Sequence, residues 1–198
     1  MRSSQYQEDQ AYASGAIVLS NAYLEAMINE FYLNCQFRSP EIKELSETNI
    51  KSLNNLWDKD KFIGLPKYRN DSKLLSKYLI AYRIVNQNDY PSNMKSKLDD
   101  ISNLIKLRDA LVHYQSKGQS IDHFDPKLNP YKLDLDYLQK NIGENAFVKN
   151  TSSPLFPTRC IGADCAKWAV NSSIEFTDFF FSEIKQKKVI DDHDFFIT

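Results

Sequence analysis

The chain has 198 residues, 42% hydrophobic and 13% aromatic, enough length and apolar content to bury one substantial core. Its 25 basic and 26 acidic side chains leave a formal charge of -1, so it lacks the broad basic surface of a protein that coats nucleic acid. The 5 glycines form neither a GxGxxG nor a GxxxxGK[ST] loop, which argues against a Rossmann or P-loop nucleotide site.

Helical periodicity dominates from the N-terminus. Residues 5–37 read as a first helix, with Ala13, Ile17, Leu24, Met27, Ile28, Phe31 and Cys35 on its inner stripe. Ser39 and Pro40 stop it and begin a second helix over residues 40–57, since proline is tolerated in a first helical turn. Residues 58–70, with Gly64 and Pro66, read as a connection. Residues 71–86 read as a third helix through Leu74, Leu75, Tyr78, Leu79 and Tyr82, where core packing explains the tyrosines. Pro91 marks a turn before a fourth helix over residues 93–114.

Beyond it the pattern weakens into a loop-rich stretch, residues 117–157. This stretch is expected to hold a short helix at 134–142 and an extended piece around 146–148. A last long helix, residues 161–187, carries Ile161, Cys165, Trp168, Ala169, Phe176, Phe179 and Phe180 on one side. Val170, Ile174 and Phe181 lie on the other, as in a helix that is central or shared with a partner. Residues 188–198 are a tail. No β-alternation persists, so the expectation is one all-α domain over residues 1–198.

The opening segment MRSSQYQEDQAY has no apolar signal region, and no run of about 18 apolar residues occurs. No membrane association is expected, and a cytoplasmic location is. Cys35, Cys160 and Cys165 are odd in number and lack CxxC spacing, so packed free thiols are expected rather than a zinc site. The clusters at 122–125 (Asp-His-Phe-Asp) and 191–194 (Asp-Asp-His-Asp) have no spacing that converges ligands. Neither a metal nor a cofactor is expected. Lys185, Lys187 and Lys188 suit the solvated C-terminal end of the last helix.

One residue breaks the pattern. The fourth helix has an apolar stripe of Met94, Leu98, Ile101, Leu104, Ile105, Leu111 and Val112, and at about 100° per residue Arg108 falls near its middle. An arginine aimed at a core or interface is costly unless an anion meets it. Glu25 or Glu30 of the first helix would supply one in a purely structural reading. His113 follows one turn and one residue later, the side chain that titrates nearest neutral pH. Positions five apart differ by about 140°, so the two do not share one helix face.

The segment LIKLRDALVHY, residues 104–114, resembles the Rx4-6H signature of the HEPN domain family, here Arg108, four intervening residues and His113. SNAYLEAMINEFYL at 20–33 looks like that family's first helix, and residues 155–180 are similar to the closing helix of several members. The resemblance implies an antiparallel helical bundle with additional helices that dimerises with its Arg–His elements meeting at the interface. It also implies metal-independent endoribonuclease activity in a toxin or antiviral-defence role. Arg108 would hold phosphate, His113 would act as general acid or base, and Asp109 would orient His113 or the opposite subunit's arginine. Glu25, Asn29 and Tyr114 would line the substrate cleft. The implied partners are RNA, a second copy of the chain, and an antitoxin or other defence-system protein. The alternative is a non-catalytic module of the same family that binds a nucleotide, RNA or protein. Two departures stand out: Asp109 occupies a position often held by asparagine, and Gln115 replaces a tyrosine that some toxins of the family use for regulation.

Overall fold

The computed structural model describes residues 2–40, 42, 45–57, 73–113 and 133–188. Among them the chain is all-α, with no β-strand: α1 (Arg2–Phe37), α2 (Glu47–Trp57), α3 (Lys73–Asn86), α4 (Met94–Val112), α5 (Leu135–Asn141) and α6 (Ala163–Glu183). No helix among the described residues is long and apolar enough to cross a membrane. The expected connection at 58–70, Tyr114, Gln115, the two Asp/His clusters and residues 189–198 lie outside the described residues.

The helix boundaries follow local chemistry. The second helix starts at Glu47, not at Pro40, because Ser46 caps it: its Oγ accepts from the Asn49 N–H at 3.1 Å. Pro40 instead sits in a turn closed by the Ile42 N–H on the Ser39 carbonyl at 3.0 Å. Asp134 caps α5 in the same way, accepting from the Tyr137 N–H at 2.9 Å. The expected extended piece at 146–148 is a turn, because Asn145 Oδ1 accepts from the Phe147 N–H at 3.0 Å and its carbonyl accepts from Val148. A wide turn at Leu155–Arg159 precedes α6, which begins at Ala163.

The C-terminal ends share a device. Arg38, Gln87 and Lys185 follow α1, α3 and α6 at φ 51, 57 and 55, left-handed positions usually given to glycine. Ser39 N–H closes on Asn34 and Gln186 N–H on Phe181, bonds that satisfy carbonyls left open at the helix ends.

The chain divides into two compact units, cutting α1, α4 and α6 along their lengths. The second unit, Ala22–Ser102 with Ser173–Thr198, is an aromatic core. Tyr78 is fully buried, lies edge-on to Phe176 and Phe180 at 4.9 and 4.8 Å, and donates its Oη to the Leu24 carbonyl at 2.7 Å. Phe31 packs edge-on to Phe180 and Phe181, and Tyr32 stacks on Trp57 at 5.5 Å. Such ring pairs add about 0.5–1.5 kcal/mol each beyond the burial itself. Lys188 is not simply solvated: it pairs with Asp178 and reaches the Tyr23 hydroxyl, which holds the chain after α6 in place.

The first unit, Met1–Asn21 with Asn103–Ser172, carries the Arg108 region. Its core includes Ala13 and Ile17 of α1, Leu104, Leu107 and Ala110 of α4, Leu138 of α5, and Cys165 and Ala169 of α6. Asn21 Nδ2 donates to the Ile17 and Leu104 carbonyls at 3.1 and 3.4 Å.

Candidate functional site

The buried face of α4 shifts around the helix along its length. Met94, Leu98 and Ile101 are buried as the sequence predicts, but in the last two turns the buried positions are Leu107 and Ala110. Leu111 is half-buried and Val112 is 54% exposed, so the expected stripe ends one turn early. Arg108 therefore stands beside the core rather than within it, with its side chain 38% exposed. Its counter-group is the next residue: Arg108 Nη1 lies 2.7 Å from Asp109 Oδ1, and the Asp109 side chain is 39% exposed. The carboxylate expected from Glu25 or Glu30 is thus replaced by one on the same helix, because a half-exposed guanidinium needs no buried partner.

His113 follows the last residue of α4 and is exposed. Its backbone N–H donates to the Asp109 carbonyl at 3.0 Å, continuing the helical pattern for one more residue. Asp109 thus contacts both halves of the motif, Arg108 through its carboxylate and His113 through its carbonyl. Arginine suits an anion here because its planar fork stays charged and matches two phosphate oxygens at once.

Glu25 and Asn29 belong to the second unit. Glu25 is exposed. Asn29 is committed locally, its Oδ1 accepting from Lys77 Nζ at 2.7 Å, while that ammonium lies 5.5 Å from the Trp57 ring centre. The structure joins Arg108, Asp109 and His113 in one unit and leaves Tyr114 outside the described residues.

A second feature of the first unit was not legible in the sequence. A cavity of about 150 Å³ opens where α6 begins, among Asp9, Glu144, Asn145, Cys160, Asp164 and Cys165. Asn145 organises its wall: Nδ2 donates to Asp9 Oδ2 at 2.8 Å and to the Ile161 carbonyl at 2.7 Å. Gly162 is needed for that approach, since a Cβ there would fall 2.7 Å from Asn145 Nδ2.

All three cysteines are buried free thiols, as expected. Burial pushes Cys35 and Cys160 up to about 12 and raises Cys165 further, so they are protonated and poor nucleophiles at neutral pH. Among the described residues, no group of three or more His, Cys, Asp or Glu side chains is arranged to hold a metal ion. No known protein family, curated protein or solved structure gives a significant match to this chain.

Proposed function

We propose that this chain is a metal-independent endoribonuclease of the HEPN type, acting as a homodimer in a toxin or antiviral-defence role. The observation that carries the reading is the solvent access of both motif residues at one helix end: Arg108 is 38% exposed and His113 is exposed. At that exposure the guanidinium meets anions from solvent without any opening of the core.

The chemistry needs little more than these groups. The neutral imidazole of His113 takes the proton of a ribose 2′-hydroxyl, and the freed oxygen attacks the adjacent phosphorus. The bond from phosphorus to the 5′-oxygen breaks, and that oxygen takes the proton from the His113 imidazolium formed in the first step. The products carry a 2′,3′-cyclic phosphate and a 5′-hydroxyl. Arg108 binds the non-bridging oxygens and stabilises the charge that grows on them in the transition state. Since Arg108 and His113 are about 140° apart around the helix, a two-fold axis that sets one copy's His113 near the other's Arg108 completes the site.

The test is light scattering on the intact protein together with end-group analysis of cleaved single-stranded RNA. A dimer that leaves cyclic phosphate ends supports the reading. A folded monomer, or 3′-hydroxyl ends, contradicts it. A dimer that binds RNA without turnover would favour the non-catalytic module instead, a reading that the occupation of Arg108 by Asp109 also favours.

A further inference from the structure

We infer that Asp109 is an internal mimic of phosphate that keeps Arg108 occupied until an RNA phosphate displaces it. The inference rests on the proposal that Arg108 is a phosphate-binding residue. The Asp109 carboxylate takes one arm of the guanidinium fork, with Nη1 at 2.7 Å from Oδ1. Bidentate capture of a phosphate requires both arms. Neighbouring residues on a helix point about 100° apart, so the two side chains reach toward each other around the helix to make this contact. The two side chains are 38% and 39% exposed, so water and anions reach the pair and exchange needs no opening of the core.

The position of Asp109 gives a second argument. It lies in the last turn of α4, which contains no basic residue, at the negative end of the helix dipole. A carboxylate there weakens the helix unless a cation offsets it. Among the described residues that cation is Arg108, the group proposed to bind substrate. The carboxylate therefore sets a threshold: a weakly bound single anion competes poorly with Asp109, whereas an RNA strand held at several phosphates displaces it.

The experiment measures binding of a short fluorescein-labelled single-stranded RNA with 2′-O-methyl riboses, which cannot be cleaved, by anisotropy at fixed ionic strength. The proteins are the wild type, Asp109→Asn, Arg108→Gln and the double variant, each checked for helix content by circular dichroism. Asp109→Ser serves as a second removal of the carboxylate. Loss of the carboxylate is expected to tighten binding about two- to fivefold, the strength of a half-exposed ion pair written as a binding ratio. In the Arg108→Gln background the same change is expected to give no gain. An equal gain in both backgrounds would reveal a general charge effect and overturn the mimic. Weaker binding without the carboxylate would make Asp109 part of the binding surface and overturn it too. Wild-type affinity in Arg108→Gln would overturn the phosphate-binding reading itself, a result distinct from the other two.

Discussion

Arg108 Nη1 sits 2.7 Å from Asp109 Oδ1, and both side chains keep more than a third of their surface in solvent. That single relationship sets the expected cost of removing Arg108 from the end of α4. An exposed ion pair contributes about 0–1 kcal/mol, whereas breaking a buried one costs about 3–5 kcal/mol. Arg108→Ala is therefore expected to lower unfolding free energy by no more than about 1 kcal/mol in urea denaturation. A loss of several kcal/mol would make Arg108 a structural residue.

Asn145 and Gly162 are expected to behave as one unit. Gly162→Ala pushes a methyl group toward Asn145 Nδ2, at 2.7 Å, and that amide is held by Asp9 and the Ile161 carbonyl. The cost is about 1–3 kcal/mol, the range for overpacking a well-filled site. Asn145→Ala removes the two closest contacts, Nδ2 and Cγ at 2.7 and 2.9 Å, together with the hydrogen bonds, so the double variant should be less unstable than the sum of the singles. Strict additivity in denaturation would contradict the close approach.

The buried thiols predict a stability that declines in alkali. Cys35 and Cys160 are pushed up to about 12 by burial, while an exposed thiol in the unfolded chain ionises near about 8.5. Above that lower value the unfolded chain has lost protons that the folded one retains, so stability falls as pH rises toward 12. The stabilisation is complete below about pH 8. Each thiol adds a slope on the order of 1 kcal/mol per pH unit within the window. Urea titrations under reducing conditions at rising pH read this directly, and replacing Cys160 with alanine should flatten the decline.

The left-handed helix ends predict gains from glycine. Gln87 stands at φ 57 after α3 and is exposed, so Gln87→Gly is expected to raise stability by about 0.5–1 kcal/mol by relieving the Cβ strain. Gln87→Ala keeps a Cβ and should give no such gain. Equal stability of the two variants in thermal denaturation would contradict the argument.

The helical class and much of the core were legible because they rest on periodicity. The seven residues of the expected α1 stripe, from Ala13 to Cys35, are all 1% exposed or less. Periodicity does not say where a helix leaves the core, so the pattern alone points Leu111 and Val112 inward although Val112 is 54% exposed. The α2 start is hidden because Ser39–Pro40 looks like a helix opening, while Ser46 is followed at the third position by Asn49 and not by the Glu or Gln of a capping box. The helix ends at Arg38, Gln87 and Lys185 carry no glycine to announce them. Asn145 was illegible for a different reason: its carboxylate partner Asp9 is 136 residues away in the chain. Of the candidate site, Arg108, Asp109 and His113 are candidates on sequence grounds, whereas the 2.7 Å contact of Arg108 with Asp109 depends on a side-chain conformation that helical periodicity does not give.

The most direct test of the central claim is the rate of single-stranded RNA cleavage in EDTA by the intact wild type, Arg108→Ala and His113→Ala. Cleavage by the wild type, reduced at least about 100-fold in each variant while both remain folded, is the predicted result. Cleavage that persists undiminished in both variants, or a folded wild-type dimer that leaves RNA intact, would contradict the account.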